Sequence, residues 1–350
     1  MTFISEEMIK EFQAQMEKID EPLKKTFMNV HNGYVRENLV RFLKAREGNI
    51  SDAHKMLIEC LNWRIQNEID DILTKPINPS DLYRAIRDSQ LVGMCGFTKE
   101  GLPVIAVGVG LSTYDKASIN YYVQSHIQMN EYRDRVVLPS ASKKYGRYIG
   151  TCIKILDMTG LRLSALNQMK LLSAISTIDD LNYPEKTDTY YIVNTPYIFS
   201  SCWKVVRPLL RERTRKKIQV LSGSGRDELL KIMDYESLPH FCRNEGSGSG
   251  SGSGWGSGSG SGSSRNSRNG RVANCYSLDH PFHQQLYEYI KERAALESVA
   301  PVKDGSVEVD YPEPDPEDVK VAQTIECEFQ KLGNQNGVCQ SLHELEISGD

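Results

Sequence analysis

The chain has 350 residues, of which 39% are hydrophobic, a mean hydropathy of -0.44 and a formal net charge of -4. This length and composition allow one large or two small domains with a sizeable core, and they exclude a protein embedded in a membrane. The longest apolar run, residues 102–111, is about half as long as a membrane span, and the acidic N-terminus lacks the cations of a signal peptide. We therefore expect a cytoplasmic protein.

The charge is unevenly distributed along the chain. Residues 271–350 hold 6 Lys and Arg residues against 16 Asp and Glu, which leaves 36 against 30 in residues 1–270. A basic body with an acidic tail indicates an anionic membrane or a nucleic acid as partner of the body. Because the densest basic tract lacks interleaved aromatic residues, we expect a transient anionic membrane surface and no nucleic acid.

Motifs for covalent chemistry or metal binding are not evident. The eight cysteines form no C-x-x-C pair, and a glycine motif that begins at Gly108 lacks its third glycine. Only His280 and His283 are close together, beside the acidic tail, so we expect them to lie at the surface. The sequence predicts no enzyme, no catalytic residue, no metal and no cofactor other than bound cargo.

The N-terminal part has the apolar period of helices. We predict one helix over residues 5–28, a second over 34–47, and a third capped by Ser51 and Asp52. Together they form a predicted helical subdomain over residues 5–75.

Residues 78–243 alternate short apolar strands with helices. The strands are predicted at 104–109, 151–158, 190–193 and 218–221, and the helices at about 82–86, 115–137, 163–180, 197–210 and 226–234. This alternation is typical of an α/β domain with a largely parallel sheet.

A flexible segment follows the α/β domain. Residues 246–264 alternate Gly and Ser around Trp255, which is the composition of a flexible linker, natural or engineered. We expect the fold to stop there. Residues 271–350 then form an acidic tail, mostly disordered, with one helix at about 284–296.

The stretch from Tyr183 to Lys217 combines a strand, an amphipathic helix and a basic run, and we interpret it as the moving wall of a lipid pocket. The apolar positions of this gate helix are Tyr197, Ile198, Phe199, Trp203, Val206 and Leu210. The cations assigned to membrane docking are Arg211, Arg213, Arg215 and Lys216. Each cation near an anionic leaflet contributes about 1 kcal/mol, although a single one is more often only a solvated helix end.

Five blocks in order resemble the CRAL-TRIO lipid-binding family, in its plant phosphatidylinositol/phosphatidylcholine transfer form, over residues 20–243. They are residues 41–46 (RFLKAR), 155–160 (ILDMTG), 183–185 (YPE), 191–196 (YIVNTP) and 217–222 (KIQVLS). The resemblance implies a helical N-terminal subdomain, and an α/β domain whose sheet floors an apolar cavity closed by the gate helix.

The resemblance also implies the contacts to a phosphoinositol headgroup, which are Arg46, Glu185, Thr214 and Lys217. Arg, Lys and Thr donate to phosphate oxygens, and Glu accepts from inositol hydroxyls. Glu185 and Lys217 could equally form an ion pair that only pins the gate. Cys152 and Lys154 stand where fungal members place the hydroxyls that hold phosphatidylcholine, so the second lipid stays open.

The function that these observations favour is binding and transfer of phosphatidylinositol between membranes, feeding phosphoinositide synthesis. The expected partners are phospholipid, a membrane surface (Golgi, endosomal or plasma membrane) and a lipid kinase, with the protein itself a monomer. Two alternatives remain open. One is a binder of tocopherol, retinoid or sterol on the same fold, and the other is a regulatory interaction module that acts through the acidic tail.

Overall fold

The computed structural model describes residues 3–161, 168–196, 212–243 and 274–296, with a few single positions between 199 and 331. Its N-terminal part consists of four helices, α1 (Glu6–Met16), α2 (Glu21–His31), α3 (Val35–Ala45) and α4 (Ile50–Gln66).

Two helix boundaries differ from the sequence prediction. The segment predicted as one helix over 5–28 forms two, because a proline in the first turn of α2 favours a helix start there. The next difference is at α4, which begins at Ile50. Its cap is Asn49, whose side-chain oxygen accepts from the backbone N–H of Asp52 at 3.1 Å.

The four helices enclose a core of their own. Phe12, Leu39, Phe42 and Leu57 are buried at its centre, each with no exposed surface. Burial of each such side chain contributes about 1.5–3 kcal/mol, which holds α1, α3 and α4 together. This core lets the N-terminal helices present a fixed surface to the rest of the chain.

The second part is a mixed α/β unit, as predicted. Its elements in order are α5 (Ser80–Ser89), β1 (Val92–Phe97), β2 (Pro103–Gly108), α6 (Ile119–Tyr132), α7 (Leu138–Tyr145), β3 (Cys152–Asp157), α8 (Met169–Asn182), β4 (Thr187–Val193), α9 (Glu212–Lys217), β5 (Ile218–Val220) and α10 (Arg226–Ile232). A 3₁₀ helix (Ile69–Thr74) precedes α5, and two short 3₁₀ turns (Tyr235–Ser237 and His240–Cys242) follow α10.

The five strands lie side by side in chain order, with β1 antiparallel to β2 and the others parallel. A largely parallel sheet is therefore confirmed. Strand β1 was not predicted, because its glycines weaken the apolar alternation of a strand. The structure gives the reason for one of them: a Cβ on Gly93 would lie 1.9 Å from the carbonyl oxygen of Cys275.

The two faces of the sheet differ in burial. Val104, Ile153 and Ile155 pack against α10 on one face and are buried. On the other face the row Ile105, Lys154 and Tyr190 is only half-buried, as is the pair Val107 and Leu156 in the next row. This second face therefore mixes apolar side chains with Lys154 and Tyr190 and is less covered than the first. Among the described residues, no helix is long and apolar enough to cross a bilayer.

The fold does not stop at the Gly/Ser segment. The chain returns to the body at residue 274, and the helix predicted at about 284–296 is α11 (Pro281–Leu296). Leu286 and Ile290 join the core around α6, and the Tyr276 ring stacks on Phe241 at 5.8 Å.

The expectation for His283 was wrong. Its ring is 2% exposed and lies 3.1 Å from an Arg87 guanidinium nitrogen. The sequence places it in an acidic, Gly/Ser-flanked context, whereas its burial comes from packing α11 against α5.

Candidate functional site

A cavity of about 70 Å³ lies where β4 begins, between α8 and α9. Its wall is mostly charged and includes three of the four residues predicted to contact a headgroup, Glu185, Thr214 and Lys217. The chain separates Glu185 from Lys217 by an α/β connection, and the parallel pairing of β4 with β5 brings them together. The predicted site residues therefore converge.

Glu185 is the centre of this cluster. Its carboxylate accepts from Lys217 Nζ at 2.7 Å and faces Arg213 Nε at 3.1 Å, with 13% of the side chain exposed. Its backbone has φ of +57°, a conformation that costs a non-glycine residue about 1–3 kcal/mol. Such a conformation persists only where the surroundings hold it.

The loop that carries Glu185 is held from two sides. The Tyr183 hydroxyl donates to the buried carboxylate of Glu131 at 2.6 Å. From α3, Arg41 Nη1 donates to the Pro184 carbonyl oxygen at 2.9 Å. The N-terminal helices thus fix the loop from outside the α/β unit.

Glu131 in turn belongs to a buried ion cluster. Both of its carboxylate oxygens accept from Arg64 of α4, at 2.8 and 2.9 Å, and Arg135 lies at 2.6 Å. Burial by itself would raise the pKa of Glu131, but the two guanidinium groups outweigh it and lower the pKa to about 2. Glu131 is therefore a permanent anion that anchors Tyr183.

Thr214 and Lys217 come from α9, whose last turn is basic. They are three positions apart and so share one face of the helix, which lines the cavity. Lys217 Nζ also donates to the Thr187 carbonyl oxygen at 2.9 Å, which ties α9 to β4.

Arg213 has a different position from the one predicted. It was assigned to membrane docking, but its guanidinium faces inward, where Nη1 donates to the Ala45 carbonyl oxygen at 2.8 Å in addition to the contact with Glu185. Lys216 is 65% exposed and Arg215 is half-buried, and Arg211 lies outside the described residues. The sequence could not separate these cations, because the direction of each depends on where α9 lies.

Arg46 is the last of the four predicted contacts and directly follows α3 as its C-cap. Its Nη1 donates to the Ala45 carbonyl oxygen at 3.2 Å, the same oxygen that Arg213 contacts. Arg46 is half-buried beside the site but does not line the cavity. The structure therefore brings three predicted residues together at the cavity wall, with Arg46 adjacent.

The floor of the cavity holds cations that the sequence did not single out. Arg133 begins a π-helical turn (Arg133–Val137), where the helix predicted over 115–137 breaks between α6 and α7. Arg133 Nε donates to Asp134 at 2.7 Å, and Lys186 Nζ lies 3.0 Å from the same carboxylate. Lys154 Nζ is 3.4 Å from Asp179.

Burial and neighbouring charges together decide how these floor groups titrate. Burial by itself would raise the pKa of Asp134, but the charges of Arg133 and Lys186 outweigh it and hold that pKa well below its usual range. Burial and the neighbouring Arg41 and Arg133 lower the pKa of Lys186 to about 8, despite Asp134. The only sequence signal for Lys186 was its position next to Glu185.

The predicted gate falls mostly outside the described residues, which include neither Tyr197, Ile198, Val206 nor Leu210. Of its apolar positions, Phe199 and Trp203 are described, and their rings stack with centroids 5.9 Å apart. Within the described ranges no group of three or more His, Cys, Asp or Glu side chains could hold a metal ion. Within the cavity lining, the cations, Thr214 and the paired carboxylate of Glu185 suit a phosphate and a polyol.

Comparison with known proteins agrees with this architecture. Residues 8–59 match the CRAL/TRIO N-terminal domain and residues 87–242 match the CRAL/TRIO domain. The phosphatidylinositol/phosphatidylcholine transfer protein SFH9 of Arabidopsis thaliana is 28% identical over 275 residues, which cover 71% of this chain and 47% of SFH9. The SEC14 cytosolic factor of Eremothecium gossypii is 26% identical and covers 66% of this chain and 76% of that protein.

The chain spans about half or less of the length of the plant relatives, with 47% of SFH9 and 38% of SFH12 from the same plant. Among solved structures, the crystal structure of Sfh5 superposes with a TM-score of 0.51 at 18% identity, covering 68% of this chain and 88% of that one. That similarity shows the fold. With both domains matched in order and the fold shared, this chain belongs to the CRAL-TRIO family.

Proposed function

We propose that this chain binds phosphatidylinositol and transfers it between membranes, without covalent chemistry. The observation that carries the proposal is Glu185, held at positive φ at a cavity wall between Lys217 and Arg213. In the structure, Glu185 and Lys217 form an ion pair with each other. A phosphoinositol headgroup would exchange it for contacts from Lys217 and Thr214 to phosphate, and from inositol hydroxyls to Glu185.

Energetics explain why a closed cavity is needed. Two acyl chains with about 30 methylene groups, at about 0.8 kcal/mol each, make departure from a bilayer cost about 25 kcal/mol. The half-buried sheet face with Ile105, Val107 and Leu156 supplies one apolar wall to offset that cost. We infer that the gate over residues 197–210 supplies the other and opens on contact with a membrane.

The cellular setting is part of the proposal. Arg215 and Lys216 on α9, together with Arg211, are the cations that we assign to docking on an anionic surface. We propose a cytoplasmic monomer that meets Golgi, endosomal or plasma membranes transiently and presents its lipid to a lipid kinase. The named relatives, which are phosphatidylinositol/phosphatidylcholine transfer proteins and a cytosolic factor, support the phospholipid cargo and the cytosolic part of this setting.

The test is a vesicle-to-vesicle transfer assay with labelled phosphatidylinositol. We expect Lys217→Ala and Glu185→Lys to reduce transfer at least tenfold, because each removes a charged contact to the headgroup. The exposed pair Lys231 and Glu228 of α10 provides matched controls, Lys231→Ala and Glu228→Lys, which should transfer normally. Unchanged transfer in both site variants would refute the assignment.

Mass spectrometry of the lipid that copurifies from a eukaryotic host separates the remaining alternatives. A tocopherol, retinoid or sterol mass would replace phosphatidylinositol as the cargo. Removal of residues 297–350, which follow α11, should leave transfer intact if the acidic tail is not the functional part.

A further inference from the structure

The cavity has more positive than negative charge. Five cations line it, two at the wall (Arg213 and Lys217) and three at the floor (Arg133, Lys154 and Lys186), against the three carboxylates Asp179, Asp180 and Glu185. Behind the floor, Asp134 and Arg41 add one charge of each sign. An excess of two positive charges therefore remains around a space of about 70 Å³.

Two of the three floor cations are buried, whereas the wall cations Arg213 and Lys217 are 33% and 25% exposed. Arg133 is 4% exposed and Lys186 is 7% exposed, so water screens neither charge well. Buried cations without matching anions are costly, and the lowered pKa of Lys186 reflects that cost. A bound anion would relieve it.

One donor at the floor has no partner. Arg133 uses Nε on Asp134 and Nη1 on the Asn130 side-chain oxygen at 2.9 Å. Its Nη2 is buried and makes no hydrogen bond, although Arg133 lines the cavity. Other buried arginines of the described chain also have a nitrogen without a partner, but Arg133 is the one among them that lines this cavity, where an anion could supply the acceptor.

We propose that Arg133, Lys154 and Lys186 form an anion subsite that takes a phosphate group, distinct from the contacts at Glu185, Thr214 and Lys217. The cavity of about 70 Å³ has room for one small oxyanion. Where the cargo is a lipid, the subsite rests on the proposed function and selects a headgroup that carries a phosphomonoester beyond its phosphodiester. A phosphocholine headgroup is zwitterionic and brings no net negative charge to offset the excess, so it is disfavoured.

The first arm of the test uses inorganic phosphate on the full chain. We expect phosphate to raise the melting temperature more than chloride at equal ionic strength, and Lys186→Gln and Lys154→Gln to remove that difference. Both variants retain a partner for the facing carboxylate, since Asp134 keeps Arg133, and Asp179 keeps His126 at 2.7 Å. Lys231→Gln, an exposed cation in α10, controls for the loss of one charge.

The second arm measures lipid uptake from phosphatidylcholine vesicles that contain either phosphatidylinositol or its monophosphate. We expect the wild type to prefer the monophosphate about tenfold, the magnitude of one added charge-assisted contact, and Lys186→Gln to lose that preference, whereas Lys231→Gln keeps it. Lys217→Ala should weaken uptake of both lipids.

The outcomes distinguish a lipid phosphate from a free phosphate as the ligand, and they test the subsite separately from the proposed lipid transfer. Protection by inorganic phosphate without a headgroup preference supports the subsite with a free phosphate as its ligand, even if phosphatidylinositol transfer itself fails. If phosphate and chloride act alike and the two lipids are taken equally by all variants, the subsite is refuted, whatever the transfer assay shows.

Discussion

The hydroxyl of Tyr183 offers a sharp test of how the Glu185 loop is held, because Tyr183→Phe removes one atom without changing packing. That hydroxyl donates at 2.6 Å to Glu131, a buried carboxylate that is ionised throughout the physiological range. A hydrogen bond to a charged group contributes about 1.5–3 kcal/mol, and Tyr183 is 4% exposed, so little of this is returned by water. We expect Tyr183→Phe to lower the free energy of unfolding by about 2 kcal/mol.

The chain contains its own control for this substitution. The hydroxyl of Tyr83 is also buried, on a residue 6% exposed, and it has no hydrogen-bond partner. Tyr83→Phe removes an unsatisfied group and should leave stability unchanged or slightly raised. Urea unfolding of the two variants measures the difference. Equal changes in unfolding free energy would show that the bond to Glu131 contributes nothing specific, and the account of the loop would be wrong.

Two further predictions concern the C-terminal helix and the cavity floor. Leu286→Ala should cost about 2–5 kcal/mol of unfolding free energy, since Leu286 is 1% exposed, whereas Leu296→Ala, 77% exposed on the same helix, should cost almost nothing; equal values would mean that α11 is not part of the core. For Lys186, which faces Asp134, Arg133 and Arg41, the pKa is about 8 in the folded chain against an ordinary 10.5. Its charged form therefore lowers the free energy of unfolding below about pH 8. As the pH rises from about 8 to about 10.5, Lys186 loses its proton in the folded chain and the free energy of unfolding should rise. Protection by phosphate should fall over the same range, because the neutral amine no longer attracts the anion. Melting curves with and without phosphate across that range measure both effects. If stability and phosphate protection changed in the same direction as the pH rose, the role of Lys186 would be contradicted.

The sequence determined the class of the fold, because its evidence is local. The helical period before residue 75 and the alternation of strands and helices after residue 80 follow from side-chain spacing alone. The described part of the structure keeps this order, apart from β1, the division of the first helix into α1 and α2, and the break between α6 and α7. Glu185, Thr214 and Lys217 were identifiable from short motifs, and the parallel sheet then brought them to one cavity. Strand β1 was missed, since its glycines are explained only by the segment that packs on them.

Only the tertiary structure decided which charges face inward. Arg213 and Lys216 are equivalent in the sequence, yet Arg213 contacts Glu185 and Lys216 is exposed. The difference arises because the position of α9 decides which of its side chains meet the cavity. Arg133 acquired its place from a π turn, and His283 from the packing of a helix that follows a long Gly/Ser segment. Side-chain spacing encodes which residues share a face of an element, whereas burial and charge pairing depend on which elements meet.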